Sequence, residues 1–299
     1  MTTGVADANF LLGYRNHVLH ETDAALDCTL GDVVSGSMDA LRTMQLSERV
    51  TITATSPGEG AATIQLHWAV ATERAVGIQL IGLLNYTVSA PGATSVSWSI
   101  TIAKAGGGAL SDEPITVYER PSDDFPSHVW AILEEAIDDG YDVIMSISAS
   151  FDEGGGTLTF TSGGLWLSAL WWLPNGLATG WKETLEDSSL MRVSKGRQGY
   201  PSRGPRGRVF SGRAVGVSFE WAYGSEVDPT IVDVQQLQYR CGTCEPIVIF
   251  PRTRNRAGNR SVHVMHRLGV YGHFRELGWI EEATGDNYNW SEIVVAELM

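Results

Sequence analysis

The sequence predicts a mainly β protein of two modules, and three observations predict it. Thirty-three Gly are spread through turn-like clusters of the 299 residues, which suits many short strands rather than long helices. Segments 49–56, 95–103 and 213–222 alternate apolar and polar residues, the two-residue period of a half-buried strand. The charge also changes along the chain. Residues 1–190 hold 7 Lys/Arg against 24 Asp/Glu, about −17, and residues 191–299 hold 14 against 11, about +3.

The first module, 1–190, reads as an acidic β-sandwich. Residues 49–56 place Val50, Ile52 and Ala54 on one face before Pro57-Gly58 breaks the run. Residues 61–70 supply Ile64, Leu66 and Trp68, and 74–86 supply Val76, Ile78, Leu80, Ile81 and Leu83. Residues 95–103 alternate Val96, Trp98, Ile100 and Ile102; further strands are expected at 142–150, 156–162 and 165–172. One helix is expected over 126–139. Pro126 suits a first helical position, Val129, Trp130, Leu133, Ala136 and Ile137 form an apolar stripe, and Gly140 is a stop. Its acidic last turn opposes the helix dipole, so packing must hold it.

Residues 191–212 read as an arginine-rich connecting loop, with Arg192, Arg197, Arg203, Arg206 and Arg208 among Gly, Ser and Pro. The second module, 213–299, reads as a smaller β-rich domain with one or two short helices. Val215, Val217, Phe219 and Trp221 mark its first strand. Asp228-Pro229 opens a short helix with Ile231, Val234 and Leu237 inward, and 247–250, 261–271 and 288–298 complete the strands.

Composition narrows the function. An acidic first module does not suit nucleic acid. Three Cys make no disulfide framework. No apolar run approaches the ~18–20 residues of a membrane helix, and the N-terminus shows no basic and apolar export signal. The expectation is a chain made in a reducing cytoplasm, without membrane insertion.

Candidate chemistry is sparse. Cys241-Gly242-Thr243-Cys244 has redox spacing, but it follows a helix, whereas a reactive thiolate sits at a helix N-terminus. With His263 and His266 the pair supplies zinc-type ligands, yet the spacings miss a finger pattern. Opposite parity in a strand would also put the two His on opposite faces. Two small turn residues flanking Gly242 is the simpler reading. His67 is read as a satisfied strand histidine. The chain has no G-x-S-x-G, H-E-x-x-H, phosphate loop or dinucleotide fingerprint, so no enzyme, metal or cofactor is expected. Trp166, Trp171, Trp172 and Trp181 cluster around Pro174. Apolar residues on both faces of 164–172 favour a buried strand or an interface, and a glycan stacking on Trp172 and Trp181 is the alternative.

Residues 7–190 resemble the galactose-binding-like jelly roll of tailed-phage tail proteins. The resemblance rests on Asn9-Phe10-Leu11, the segment Ala24–Asp32, Ala62–Leu66, Arg74–Ile78 and the Leu84-Asn85-Tyr86 corner. Gly212-Arg213 leading to Val217–Trp221, Glu245–Arg252, Tyr271–Phe274 and Tyr288-Asn289-Trp290 resemble the C-terminal portions of phage minor and distal tail proteins. The resemblance implies a virion tail subunit of the tail tip or baseplate, without catalytic residues. Its expected partners are copies of itself, closing into a ring through a heterologous interface, and other tail proteins. Arg192, Arg197, Arg203, Arg206 and Arg208 would meet acidic surfaces of neighbours, and Trp171 and Trp172 would be covered there. The alternative is a carbohydrate-binding module contacting host surface glycan.

Overall fold

The computed structural model describes residues 8–20, 25–43, 45–69, 77–104, 109–114, 128–137, 141–173, 176–177, 181–187, 206–218, 231–284 and 287–298. The chain is mainly β, as expected, and its contacts divide it into two compact units. One holds Asn16–Pro121 with Pro126–Ala169; the other holds Met1–Arg15, Ser122–Phe125 and Leu170–Met299.

The first unit holds an antiparallel β-sandwich, and side-chain alternation builds it. In β4 (Val50–Ser56), Val50 and Ile52 point inward while Thr51, Thr53 and Thr55 point outward. β4 pairs with β12 (Gly156–Ser162), so that Thr51, Thr53 and Thr55 stand opposite Thr161, Thr159 and Thr157. β3 (Asp32–Ser35) and β7 (Thr87–Ser89) complete a sheet of order β3-β4-β12-β7. A five-stranded sheet orders β2 (Ala25–Leu30), β5 (Gly60–Ala69), β11 (Tyr141–Phe151), β8 (Ser95–Lys104) and β9 (Ala109–Pro114). Ile64, Leu66, Trp68, Trp98, Ile100, Met145 and Ile147 of this sheet share one core with Ile52, Leu158 and Phe160. Each such side chain is worth roughly 1.5–3 kcal/mol on burial.

A third group of strands centres on β6 (Ile78–Leu84), which pairs with β10 (Val129–Ile137) and with Gly164–Ser168 of β13 (Gly164–Leu173). β10 lies where the sequence predicts a helix, and this corrects that expectation. Val129 stands opposite Leu83 and Ala131 opposite Ile81, so pairing satisfies the backbone that helical bonds would otherwise serve. A short apolar run fits either period, and the partner strand decides. Gly82 makes room for the pairing, since a Cβ there would sit 2.2 Å from the Trp130 ring. Asn16, buried ahead of α1 (His17–His20), accepts from Val18 N–H and Leu167 N–H at 3.2 and 3.0 Å and donates to Leu165 O at 2.9 Å.

In the second unit, β1 (Phe10–Tyr14) pairs with β16 (Pro246–Phe250), which pairs with β17 (Val270–Glu276). β19 (Asn287–Glu297) joins β17 to β15 (Arg206–Ser218), and β14 (Lys182–Asp187) flanks β15. β18 (Trp279–Thr284) forms a hairpin on β19. α2 (Ile231–Cys241) buries Val234 and Leu237, as its periodicity predicts. The expected strand over 261–271 is instead α3 (Val262–Leu268) followed by β17. Ser261 caps α3 by accepting from Val264 N–H, and Gly269 stops it.

The contacts divide the chain at residues 15/16 and 169/170, and the join expected near 190 lies outside the described residues. The N-terminal strand pairs with residues far along the chain, which local composition does not show. Residues 206–212, expected in a loop, begin strand β15.

Candidate functional site

Arg208 is buried rather than offered to a neighbour. Its Nε donates to Glu297 Oε1 and Oε2 at 2.9 and 3.0 Å, and its backbone N–H reaches Oε2 at 3.1 Å. Nη2 also donates to Glu297, and to Gly269 O at 2.7 Å, while Nη1 reaches Arg267 O at 3.2 Å. This forked arrangement answers both carboxylate oxygens and two carbonyls at once, and it knits β15, β17's leading turn and β19 together. The expectation that Arg208 pairs with an adjacent subunit is corrected: its partner is Glu297 of its own chain. Arg206 opens β15 opposite Asp187. Arg192, Arg197 and Arg203 lie outside the described residues.

The Trp cluster is core. Trp171 and Trp172 are 3% and 8% exposed. Trp171 packs edge-on against Phe10 and Trp290, with ring centroids 6.1 and 5.7 Å away. Trp181 is half-buried against Phe210 at 5.9 Å. Trp172 thus offers no open ring to a sugar, against the alternative of a glycan on Trp172 and Trp181. The expectation that a neighbour covers Trp171 and Trp172 is corrected: their own chain covers them.

Cys241 closes α2 in the core, and Cys244 is exposed in the following turn. Burial, then nearby Glu245, push the Cys241 thiol up to about 12, the reverse of an activated thiolate. His263 and His266 lie on α3, three residues apart, so the opposite-parity argument is corrected. His266 is buried and His263 exposed. Among the described residues, no group of three or more His, Cys, Asp or Glu is placed to hold a metal ion. His67 meets Asp142 at 3.2 Å on the outer face of the five-stranded sheet, a satisfied strand histidine as read.

Besides Val96 and Tyr239, two exposed apolar features remain among the described residues. Leu30, Val33 and Val34 are 47%, 42% and 57% exposed, on β2 and β3, which end their sheets among the described residues. Gly31, at φ 102°, turns the chain from one strand to the other. The second feature is Trp279, 48% exposed on β18. Its indole N–H donates to Glu281 Oε1 at 2.6 Å, and Glu281 Oε2 lies 3.5 Å from Arg213 Nη2. Sequence reasoning missed this group. Its signal was Trp279 and Glu281 two apart in a strand, hence on one face.

No family model and no curated protein matches this sequence. Among solved structures the chain is similar to TmCBM61 in complex with beta-1,4-galactotriose, at 12% identity and TM-score 0.27, over 54% of this chain and 99% of that one. It is similar at 12% identity and TM-score 0.27 to CBM32-1 from a family 31 glycoside hydrolase of Clostridium perfringens, over 49% of this chain and 94% of that one. A third is the enzymatically active domain of tailspike protein 4 of bacteriophage CBA120, at 17% identity and TM-score 0.25, over 48% of this chain and 19% of that one. The fold assignment rests on the strand pairings above, and the galactotriose is the first protein's ligand.

Proposed function

We propose that the chain is a non-catalytic structural subunit of a phage tail tip or baseplate, joining copies of itself and other tail proteins in the virion. The observation that carries the assembly role is the exposed apolar edge at Leu30, Val33 and Val34. A sheet edge presents unpaired N–H and C=O groups, and isolated proteins usually blunt it with charge or proline. Here Asp32 is the one charge between Leu30 and Val34, so the edge suits a permanent partner that covers it. The tail assignment is supported by the sequence resemblance over both modules. Light scattering of purified protein and its detection in purified virions test the reading. A multimer incorporated into particles is expected; a monomer absent from particles overturns it.

A second reading, contact with a host glycan, is favoured by one observation: the half-open indole of Trp279 beside Glu281 and Arg213. Trp172 and Trp181 do not serve it.

A further inference from the structure

The outward face of the β18–β19 hairpin is built more carefully than a chance exposed tryptophan requires. Single exposed aromatics are ordinary. Trp279, however, stands on a turn fixed from two sides. Leu277 O accepts from the Trp290 indole at 2.7 Å and from Gln238 Nε2 at 2.8 Å, and Gly278 O accepts from the same amide at 3.3 Å. Gly278 takes φ 70°, which places the following residue at the start of β18. The indole N–H is then held by Glu281, and Glu281 by Arg213. The ring's orientation is set before any ligand arrives, which lowers the ordering cost of binding.

The chemistry around the ring is specific. An indole face is apolar and electron-rich, and it takes the C–H face of a saturated ring. At its edge stand a carboxylate that accepts and a guanidinium that donates. Asn289 lies opposite Glu281 in the ladder, adding an amide to the same face. Arg213 and Glu281 are 47% and 48% exposed, so both can serve a ligand. They neutralise one another, which favours a neutral ligand over an anion or a cation.

We infer that this face binds a neutral pyranose oligosaccharide, its C–H face stacked on Trp279 and its hydroxyls on Glu281, Arg213 and Asn289. The assignment rests on the glycan reading above and names its site. It is independent of the assembly reading, because Leu30, Val33 and Val34 lie in the other unit.

Calorimetry of the full chain with beta-1,4-galactotriose, cellotetraose and chitotetraose tests it. At least one probe is expected to bind. Trp279→Ala should weaken that binding about tenfold or more, with Trp279→Phe retaining most of it. Arg213→Ala and Glu281→Gln should fall between, and thermal unfolding of each variant checks its fold. Should Trp279→Ala fail to fold, Arg213→Ala decides, and unchanged affinity there overturns the site. Binding that survives in a folded Trp279→Ala overturns the site but leaves the glycan reading standing. Absence of binding to all three probes overturns both.

Discussion

At Arg208 a single side chain closes five hydrogen bonds to Glu297 and to the carbonyls of Arg267 and Gly269. Removing one partner strands a buried charge, so Glu297→Gln or Arg208→Ala should cost about 3–5 kcal/mol. An apolar pair of similar volume, Arg208→Met with Glu297→Leu, should recover much of that loss; urea unfolding of the three variants reads it. A charge reversal at Arg208 would therefore unfold its own unit rather than disturb assembly alone. Cys241 gives a second residue-scale expectation. Because burial raises its thiol to about 12, the reactive thiolate is scarce until pH rises toward that value. Iodoacetamide near about pH 8 should label exposed Cys244 and leave Cys241 unmodified, as peptide mass spectrometry would show; labelling of Cys241 first would contradict the burial. The sequence displayed both arginine and cysteines plainly. It could not display their partners, because Glu297 and Arg208 lie 89 residues apart and meet only through β15–β19 pairing.

Elements were legible where one face is wet. The alternations of β4, β5, β8, β11 and β12 are visible in the sequence because polar residues, Thr and Ser above all, fill most of the outward positions. β10 was misread because Val129, Trp130 and Leu133 are buried, leaving no polar rhythm to separate strand from helix. α3 was misread although Ser261 and Gly269 are ordinary helix start and stop signals, since Val262, Val264 and His266 mimic alternation. Within the candidate site the decisive element is the turn before β18. A Cβ at Gly278 would meet Ser291 O at 2.0 Å, and φ is 70°. Gly278→Ala should therefore destabilise by more than about 2 kcal/mol. It should also weaken any saccharide binding at Trp279 in proportion to the displaced strand, whereas Ala at Gly92, where nothing lies within 4 Å, should cost only what its φ of 80° demands. Thermal unfolding of the two variants compares them.

For the whole molecule, fold class was readable from glycine spacing and alternation, while the partition into units was not. The change of charge near residue 190 marks composition, and the contacts divide elsewhere because Phe10–Tyr14 pairs with Pro246–Phe250. The assembly reading predicts that Val33→Lys with Val34→Lys, placed on an exposed edge, keeps the fold. The same pair should shift light-scattering mass toward monomer and remove the chain from particles. Unchanged mass and incorporation in that variant would move the contact away from this edge.

Leu12 meets Ile249 and Gly13 meets Val248 in the β1–β16 ladder. A ribosome releases Phe10–Tyr14 well before Pro246–Phe250 exist, so Phe10, Leu11 and Leu12, all fully buried at the end, wait uncovered over that interval. Such a delayed embrace predicts slow refolding whose yield improves on dilution.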